Sequence, residues 1–304
     1  MGQGPDRFEA PAANRGTIAV IEVAPTRAVK RRRERAGADE VMMSVRRRDI
    51  FDARRQQSPD VPYRFVRSHL SMTGLLLIAD HASNHVPADI DLDIDPALLD
   101  QHMAVDIGVE ELGTLLCERL DMTGIFGMVS RLVIDLNREE DAAGLIPLES
   151  DGFAIPGNIL LDAEARAARI ERFWRPYHRR IAAQIASCRP PLVVSLHSFT
   201  PRLVARPEEE RPWQVGVLYN QDDRAALPGI AALRAAGIIT GDNQPYSGKV
   251  LNATMNAHAE ANAIPYLGLE VRQDLIGDAV GIERWADRLA PVIASTLAVV
   301  GGCR

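Results

Sequence analysis

Two histidines stand where aliphatic runs stop. LLLIADHASNHVP (75–87) carries Asp80 and His81 at the end of its apolar stretch, and PPLVVSLHSFTP (190–201) carries His197 and Ser198 in the same way. Neutral imidazole is a good ligand for a divalent cation, and two of them with a carboxylate and a water make a usual hydrolytic zinc site. Two more apolar runs end in reactive side chains: VIDLNR (133–138) at Asp135, Asn137 and Arg138, and GLEVR (268–272) at Glu270 and Arg272. The planar fork of Arg138 suits a substrate carboxylate through two parallel charge-assisted bonds, the alternative being a surface ion pair with Glu139 or Glu140. Arg131, earlier in the same run, is either a second anion contact or the partner of Asp135. Glu270 lies between Leu269 and Val271, where a carboxylate is seldom buried unless paired or functional. Beside a divalent cation it could serve as a general base, and otherwise it pairs with Arg272 or another arginine.

The elements that must position these groups alternate in type. Short aliphatic runs at 74–80, 190–201, 214–220 and 264–275 read as strands, and 124–138 as one or two more. Between them the periodicity predicts helices: one opened by Asp95-Pro96, one over 105–120, one from its Asp162 cap to about 186, and others over 227–237, 251–262 and 281–299. This order predicts a single α/β domain, a mostly parallel or mixed central sheet with helices on both faces. Ligands of such sheets bind beyond the carboxyl ends of the strands, so four chemically capable strand ends imply one shared pocket. The loops IPLESDGFAIPGN (146–158) and GDNQPYSGK (241–249) could wall it, with Tyr246 and Lys249 as contacts. His85 is a weaker candidate, and His102, His178 and His258 fall in helical segments and read as surface or packing residues.

Composition bounds the rest. The chain has 304 residues, enough for a substantial core. Its three cysteines, Cys117, Cys188 and Cys303, are too few and too scattered for a disulfide framework or a cysteine zinc site, which favours a cytoplasmic location. No run approaches the ~20 apolar residues of a membrane span, and no secretory signal opens the chain. The net charge of -6 conceals a basic leader containing VKRRRER (29–35) and VRRRD (45–49) ahead of an acidic body. Residues 1–65 are expected to be a poorly ordered arm, or to precede a true start at Met42, Met43 or Met72, with the domain over 66–304. The acidic body and the scarcity of aromatics near the basic runs argue against nucleic acid as a partner.

The ordered set ADHASNHVP, SRLVIDLNR, FWRPYH, SLHSFTP and GLEVRQDL resembles the N-formylglutamate amidohydrolase family over residues 70 to 300. That family is related in fold to zinc carboxypeptidases and to aspartoacylase and succinylglutamate desuccinylase. The resemblance implies a zinc-carboxypeptidase-like fold, one Zn2+ per chain, and hydrolysis of an N-formyl or N-acyl group from an acidic amino acid, a small-molecule substrate. It makes His81 and His197 zinc ligands, Asn137 and Arg138 the clamp on the substrate carboxylate with Arg131 assisting, and Glu270 the general base; in the mechanism this suggests, a cation such as Arg131 also steadies the oxyanion. Ser198 and Tyr246 are expected among the substrate contacts. One position departs from the related enzymes, where a glutamate three residues after the first histidine is the third ligand: here it is Asn84, a poor zinc ligand. Asp106, in AVDIG (104–108), is the expected replacement, with Asp80 a contender and Asn84 the alternative third position. A ligand-binding or regulatory protein that kept the pocket and lost catalysis is the competing reading, and Glu270 counts against it. A metallo-amidase for another N-acyl amino acid or a peptide is the other.

Overall fold

The computed structural model describes Met1, residues 61–67 and residues 73–302. The basic runs of the expected leader lie outside the described residues. In chain order the strands are β1 (Tyr63–Val66), β2 (Leu76–Ala79), β3 (Thr123–Gly127), β4 (Glu149–Ser150), β5 (Phe153–Ala154), β6 (Val193–Phe199), β7 (Val215–Leu218), β8 (Thr240–Asp242) and β9 (Tyr266–Arg272). The helices are α1 (Val109–Leu120), α2 (Pro156–Ile159), α3 (Ala163–Arg169), α4 (Arg175–Cys188), α5 (Ala226–Ala235), α6 (Ala253–His258) and α7 (Ala279–Gly301).

Seven strands form one sheet in the order β1-β3-β2-β6-β9-β7-β8, and β4 and β5 make a separate hairpin. The pairs β3-β2, β2-β6, β6-β9 and β7-β8 are parallel, whereas β1-β3 and β9-β7 are antiparallel, so the sheet is mixed. Its centre is apolar on both faces because both are covered. Leu77, Val194, Leu196, Leu267 and Leu269 face Leu112 and Leu116 of α1, Ile230 of α5, and Trp285, Leu289 and Ile293 of α7. Leu76, Ile78, Val193 and Tyr266 face the other way, toward Phe173, Tyr177 and Ile181 of the α4 side and Met255 of α6. The sequence-based expectation of an α/β domain with helices on both faces is therefore met.

Local chemistry sets the element ends. Asp162 caps α3 by accepting from Ala165 N at 2.8 Å, and Asp278 caps α7 by accepting from Gly281 N at 2.7 Å. Asp95 does cap a turn, but Pro96–Asp100 winds as a 3-10 helix. The long helix expected from Asp162 is interrupted by a π-helical turn at Ile170–Trp174, after which α4 brings Tyr177 to Asp80. Gly108 opens α1 at φ 78, and a Cβ there would lie 2.2 Å from Ile276 O, so only glycine fits the approach.

Two expectations fail, and one strand has no counterpart in the sequence reading. The stretch after Gly127 is not strand: residues 128–138 form turns, with Ser130 Oγ donating to Ala104 O at 2.9 Å and accepting from Leu132 N at 3.2 Å. Val129, Leu132, Val133, Ile134 and Leu136 are buried there, which gave an irregular segment the apolar signature of a strand. Edge strand β1 begins before the first aliphatic run. β8 begins at Thr240, where glycine, asparagine and proline suggested only a loop. Among the described residues, no helix is long and apolar enough to cross a membrane.

Candidate metal centre and active-site cleft

The parallel register of β6 and β9 sets His197 directly against Glu270, and the antiparallel register of β9 and β7 sets Glu270 against Gly216. A Cβ at Gly216 would meet Gln244 O at 2.2 Å and Glu270 Cβ at 3.3 Å, so glycine there makes the room in which Glu270 sits. His81 follows β2, the neighbour of β6, and its ring centroid is 5.1 Å from that of His197. Asp106 comes from the turn before α1, tied to His81 by Asp106 N donating to His81 O at 2.9 Å. Donor atoms of His81, Asp106 and His197 lie within 4.8 Å of one another, all buried.

Asp106 Oδ2 is the point of convergence. It lies 2.9 Å from His197 Nδ1, 3.5 Å from His81 Nδ1 and 3.3 Å from Ser198 N. Its Oδ1 accepts from Arg131 Nη1 at 3.1 Å. On the far side of the first ring, His81 Nε2 is 2.7 Å from Asp135 Oδ1, whose other oxygen receives Arg131 Nη2 at 3.4 Å. Asp135 behind Nε2 is the arrangement common to metal-ligating histidines: a proton held on Nε2 would leave the Nδ1 lone pair to a cation.

The surrounding carboxylates favour the charged form of both rings. Four buried carboxylates, from Asp80, Asp106, Asp135 and Glu270, gather here, of which Asp106 pairs with Arg131 and Asp135 with Arg131 and Arg138. Burial opposes ionisation of Asp106, yet His81, Arg131 and His197 hold its carboxyl far below the usual carboxylate range. Asp135 is depressed likewise, against burial, by His81 and Arg131. Burial and Arg131 disfavour a charged His81, but Asp135 and Asp106 outweigh them and raise its pKa. His197 is raised well above the ordinary value by Asp106 and Asp80, again against burial. Burial pushes the Glu270 carboxyl up to about 7, partly countered by His197 and Arg131. His81 Nδ1, His197 Nε2, Asp80 Oδ2 and Glu270 Oε2 are buried without a well-formed hydrogen bond, so the cluster is short of positive charge and of partners.

The residues fit a zinc ion. Two imidazole nitrogens and a carboxylate oxygen are its usual donors at ~2.0–2.2 Å, which puts tetrahedral ligands about 3.4 Å apart. The 2.9 and 3.5 Å separations about Asp106 Oδ2 bracket that spacing. Three protein ligands would leave a position open to water and substrate.

Around this centre is a cleft of about 670 Å³, lined by His81, Asp106, Arg131, Asn137, Arg138, His197, Ser198, Tyr246 and Glu270 together with residues of the 143–152 and 198–206 loops. The structure thus brings these expected residues together on one cleft and leaves Asn84, Asp80 and Lys249 out of its lining. The Asn84 amide donates to Asp100 Oδ1 at 2.9 Å and does not line the cleft. Lys249 is exposed and outside the lining. Asn137 turns its Oδ1 to Thr254 N at 3.0 Å, fixing the loop that carries Arg138. Arg138 itself makes one long contact, Nε to Asp135 Oδ2 at 3.8 Å, and is 38% exposed, leaving its fork turned to the cleft. Tyr246 accepts from Arg211 Nη1 at 2.9 Å, which holds its ring in place. His102, expected on a helix, is on the cleft wall 3.0 Å from Asp151 Oδ2. Nothing in its sequence setting signalled that.

A family model for N-formylglutamate amidohydrolase matches residues 73–277. The chain belongs to that family. A crystal structure of a gene product from Agrobacterium tumefaciens is 27% identical, with TM-score 0.75 over 80% of this chain and 97% of that one. The N-formylglutamate amidohydrolase of Ralstonia eutropha JMP134 is 20% identical, with TM-score 0.62 over 79% of this chain and 97% of that one, and so shares the fold. No curated protein gave a significant match. The family places the chain among the amidohydrolases.

His178 and His258 form a second buried pair, outside the cleft lining. His178 Nε2 is 3.0 Å from Leu136 O and must donate to it, so His178 Nδ1 accepts from His258 Nε2 at 2.8 Å. Burial and the neighbouring ring bring the His258 pKa down to about 4 from its ordinary 6.5. Between these values the unfolded chain holds more protons than the folded one, so stability is full above pH 6.5 and falls as pH drops toward 4. The expected loss is about 3 kcal/mol, read from urea midpoints, and His258→Gln should flatten that slope. An unchanged slope in the variant would refute this assignment.

Proposed function

We propose that the protein is a zinc-dependent amidohydrolase that removes an N-formyl or short N-acyl group from an acidic amino acid such as N-formyl-L-glutamate. The observation that carries the reading is the convergence of His81 Nδ1, His197 Nδ1 and Asp106 Oδ2 in a cleft that also holds Glu270 and a half-open arginine fork. His81, Asp106 and His197 would hold the ion, which supplies Lewis-acid polarisation of the scissile carbonyl and a water acidified toward neutrality.

The chain's own residues do the rest. Arg138 takes the substrate carboxylate in two parallel bonds, and Asn137 fixes the loop beneath it. Glu270 Oε2, buried and without a partner, accepts the proton of the attacking water and returns it to the leaving amine. Arg131, anchored by Asp106 and Asp135, sets positive charge beside the oxyanion. Tyr246 accepts from Arg211, so its own hydroxyl proton is free to donate to substrate. A retained pocket without catalysis would have no use for a buried, unpaired carboxylate at Glu270.

Arg138→Met tests the assignment of substrate. Formate release from N-formyl-L-glutamate should show a KM raised about 10- to 100-fold with kcat within a few-fold, the loss of a charge-assisted pair. N-formyl-L-methionine, which lacks the side-chain carboxylate, serves as comparison. Equal KM for the variant and wild type would remove Arg138 from the clamp. A wild-type enzyme that prefers the neutral substrate would move the activity to another class of N-acyl amino acid.

A further inference from the structure

Asp80 is the most deeply placed acid of the site, with no exposed surface. It is neither a cleft-lining residue nor one of the three groups whose donor atoms cluster within 4.8 Å. Its Oδ1 accepts from Tyr177 Oη of α4 at 2.8 Å and from Thr254 Oγ1 of α6 at 3.0 Å. Its backbone is pinned as well: a Cβ at Gly127 would come within 2.1 Å of Asp80 O, so β3 has glycine where the chain leaves β2. Its Oδ2 shares in neither of those bonds and lies 3.3 Å from His197 Nε2.

The two rings have matching carboxylate neighbours, although the hydrogen bond forms on the outer nitrogen of His81 and on the inner nitrogen of His197. His81 has a carboxylate outside, Asp135 at Nε2, and Asp106 inside at Nδ1. His197 has a carboxylate outside, Asp80 at Nε2, and the same Asp106 inside at Nδ1. A carboxylate behind a ligating imidazole fixes its tautomer and increases its basicity. We propose that Asp80 is the positioning residue of His197, its Oδ2 accepting from Nε2–H so that the Nδ1 lone pair is aimed at the cation shared with His81 and Asp106. The inference rests on the metal reading above and assigns Asp80 a role behind a ligand rather than as one.

Tyr177 and Thr254 belong to this device. Each spends its hydroxyl proton on Oδ1, which keeps a buried carboxylate ionised and leaves Oδ2 for the ring. Burial works against that ionisation, and His197, His81 and Tyr177 together bring the Asp80 pKa below its ordinary value. The orientation of a metal ligand is thereby tied to two core helices, not to a surface loop.

Zinc affinity of the full chain, measured by competition with a chromophoric chelator, provides the first test. Asp80→Asn keeps the shape and removes the charge, and should weaken zinc binding by about 10- to 100-fold. Binding within threefold of wild type overturns the proposal, as does complete loss of binding by a folded variant, which would make Asp80 a ligand. The second measurement uses wild-type protein and so does not depend on the variant folding. Long-range 1H–15N spectra of the zinc-loaded protein should show His197 protonated at Nε2 and metal-bound at Nδ1; the opposite assignment overturns the proposal. Wild-type protein that takes up no zinc would instead defeat the metal reading beneath it, and this inference with it.

Discussion

Glu270→Gln should lower kcat for amide hydrolysis by about 10²- to 10⁴-fold while leaving KM and zinc content near wild type. Glutamine preserves the volume that Gly216 makes available opposite β9, so packing is retained. What it loses is the ability to accept a proton. Glu270 Oε2 has no hydrogen-bond partner, and burial of the carboxylate outweighs its attraction to His197 and Arg131, so its charge is a net cost to the fold. The variant should therefore be as stable as wild type or more so, by thermal unfolding at neutral pH. A large loss of stability would assign Glu270 to the structure, and a kcat within threefold of wild type would remove it from the chemistry.

The second large effect belongs to Asp106. Asp106→Asn should reduce zinc affinity by 10³-fold or more, about 4 kcal/mol of the ~10–16 kcal/mol that such sites provide. Its Oδ2 is the atom both imidazoles approach, and its Oδ1 anchors Arg131, so one substitution removes a ligand and loosens a neighbouring cation. Asn84→Ala, by comparison, breaks only the contact with Asp100 and should leave zinc affinity within threefold. Calorimetric titration of zinc into chelator-stripped protein distinguishes the two. Equal losses in both variants would put Asn84 back into the coordination sphere.

Much of this was legible in the chain because buried parallel strands write themselves as aliphatic runs, and the residue that ends such a run is placed by the sheet. His81, His197 and Glu270 stood out that way, Arg138 through an apolar run that proved to be turns, and Asp106 through the gap left by Asn84. What the sequence hid is of two kinds. Residues 128–138 are apolar because they are buried, not because they are extended, and burial alone does not distinguish turn from strand. The contacts of Asp135 with His81 and of Tyr177 and Thr254 with Asp80 join residues 54, 97 and 174 positions apart, and no local pattern encodes them. His102 reaches the cleft from a turn that the helical spacing around it concealed.

The most direct measurement is a zinc titration of chelator-stripped protein in which bound metal and formate release from N-formyl-L-glutamate are followed together. The expected result is one zinc per chain, with activity rising in step with occupancy and both abolished in His81→Ala and His197→Ala. Hydrolysis that persists at full strength without metal, or zinc that binds equally well after both histidines are removed, would contradict the account.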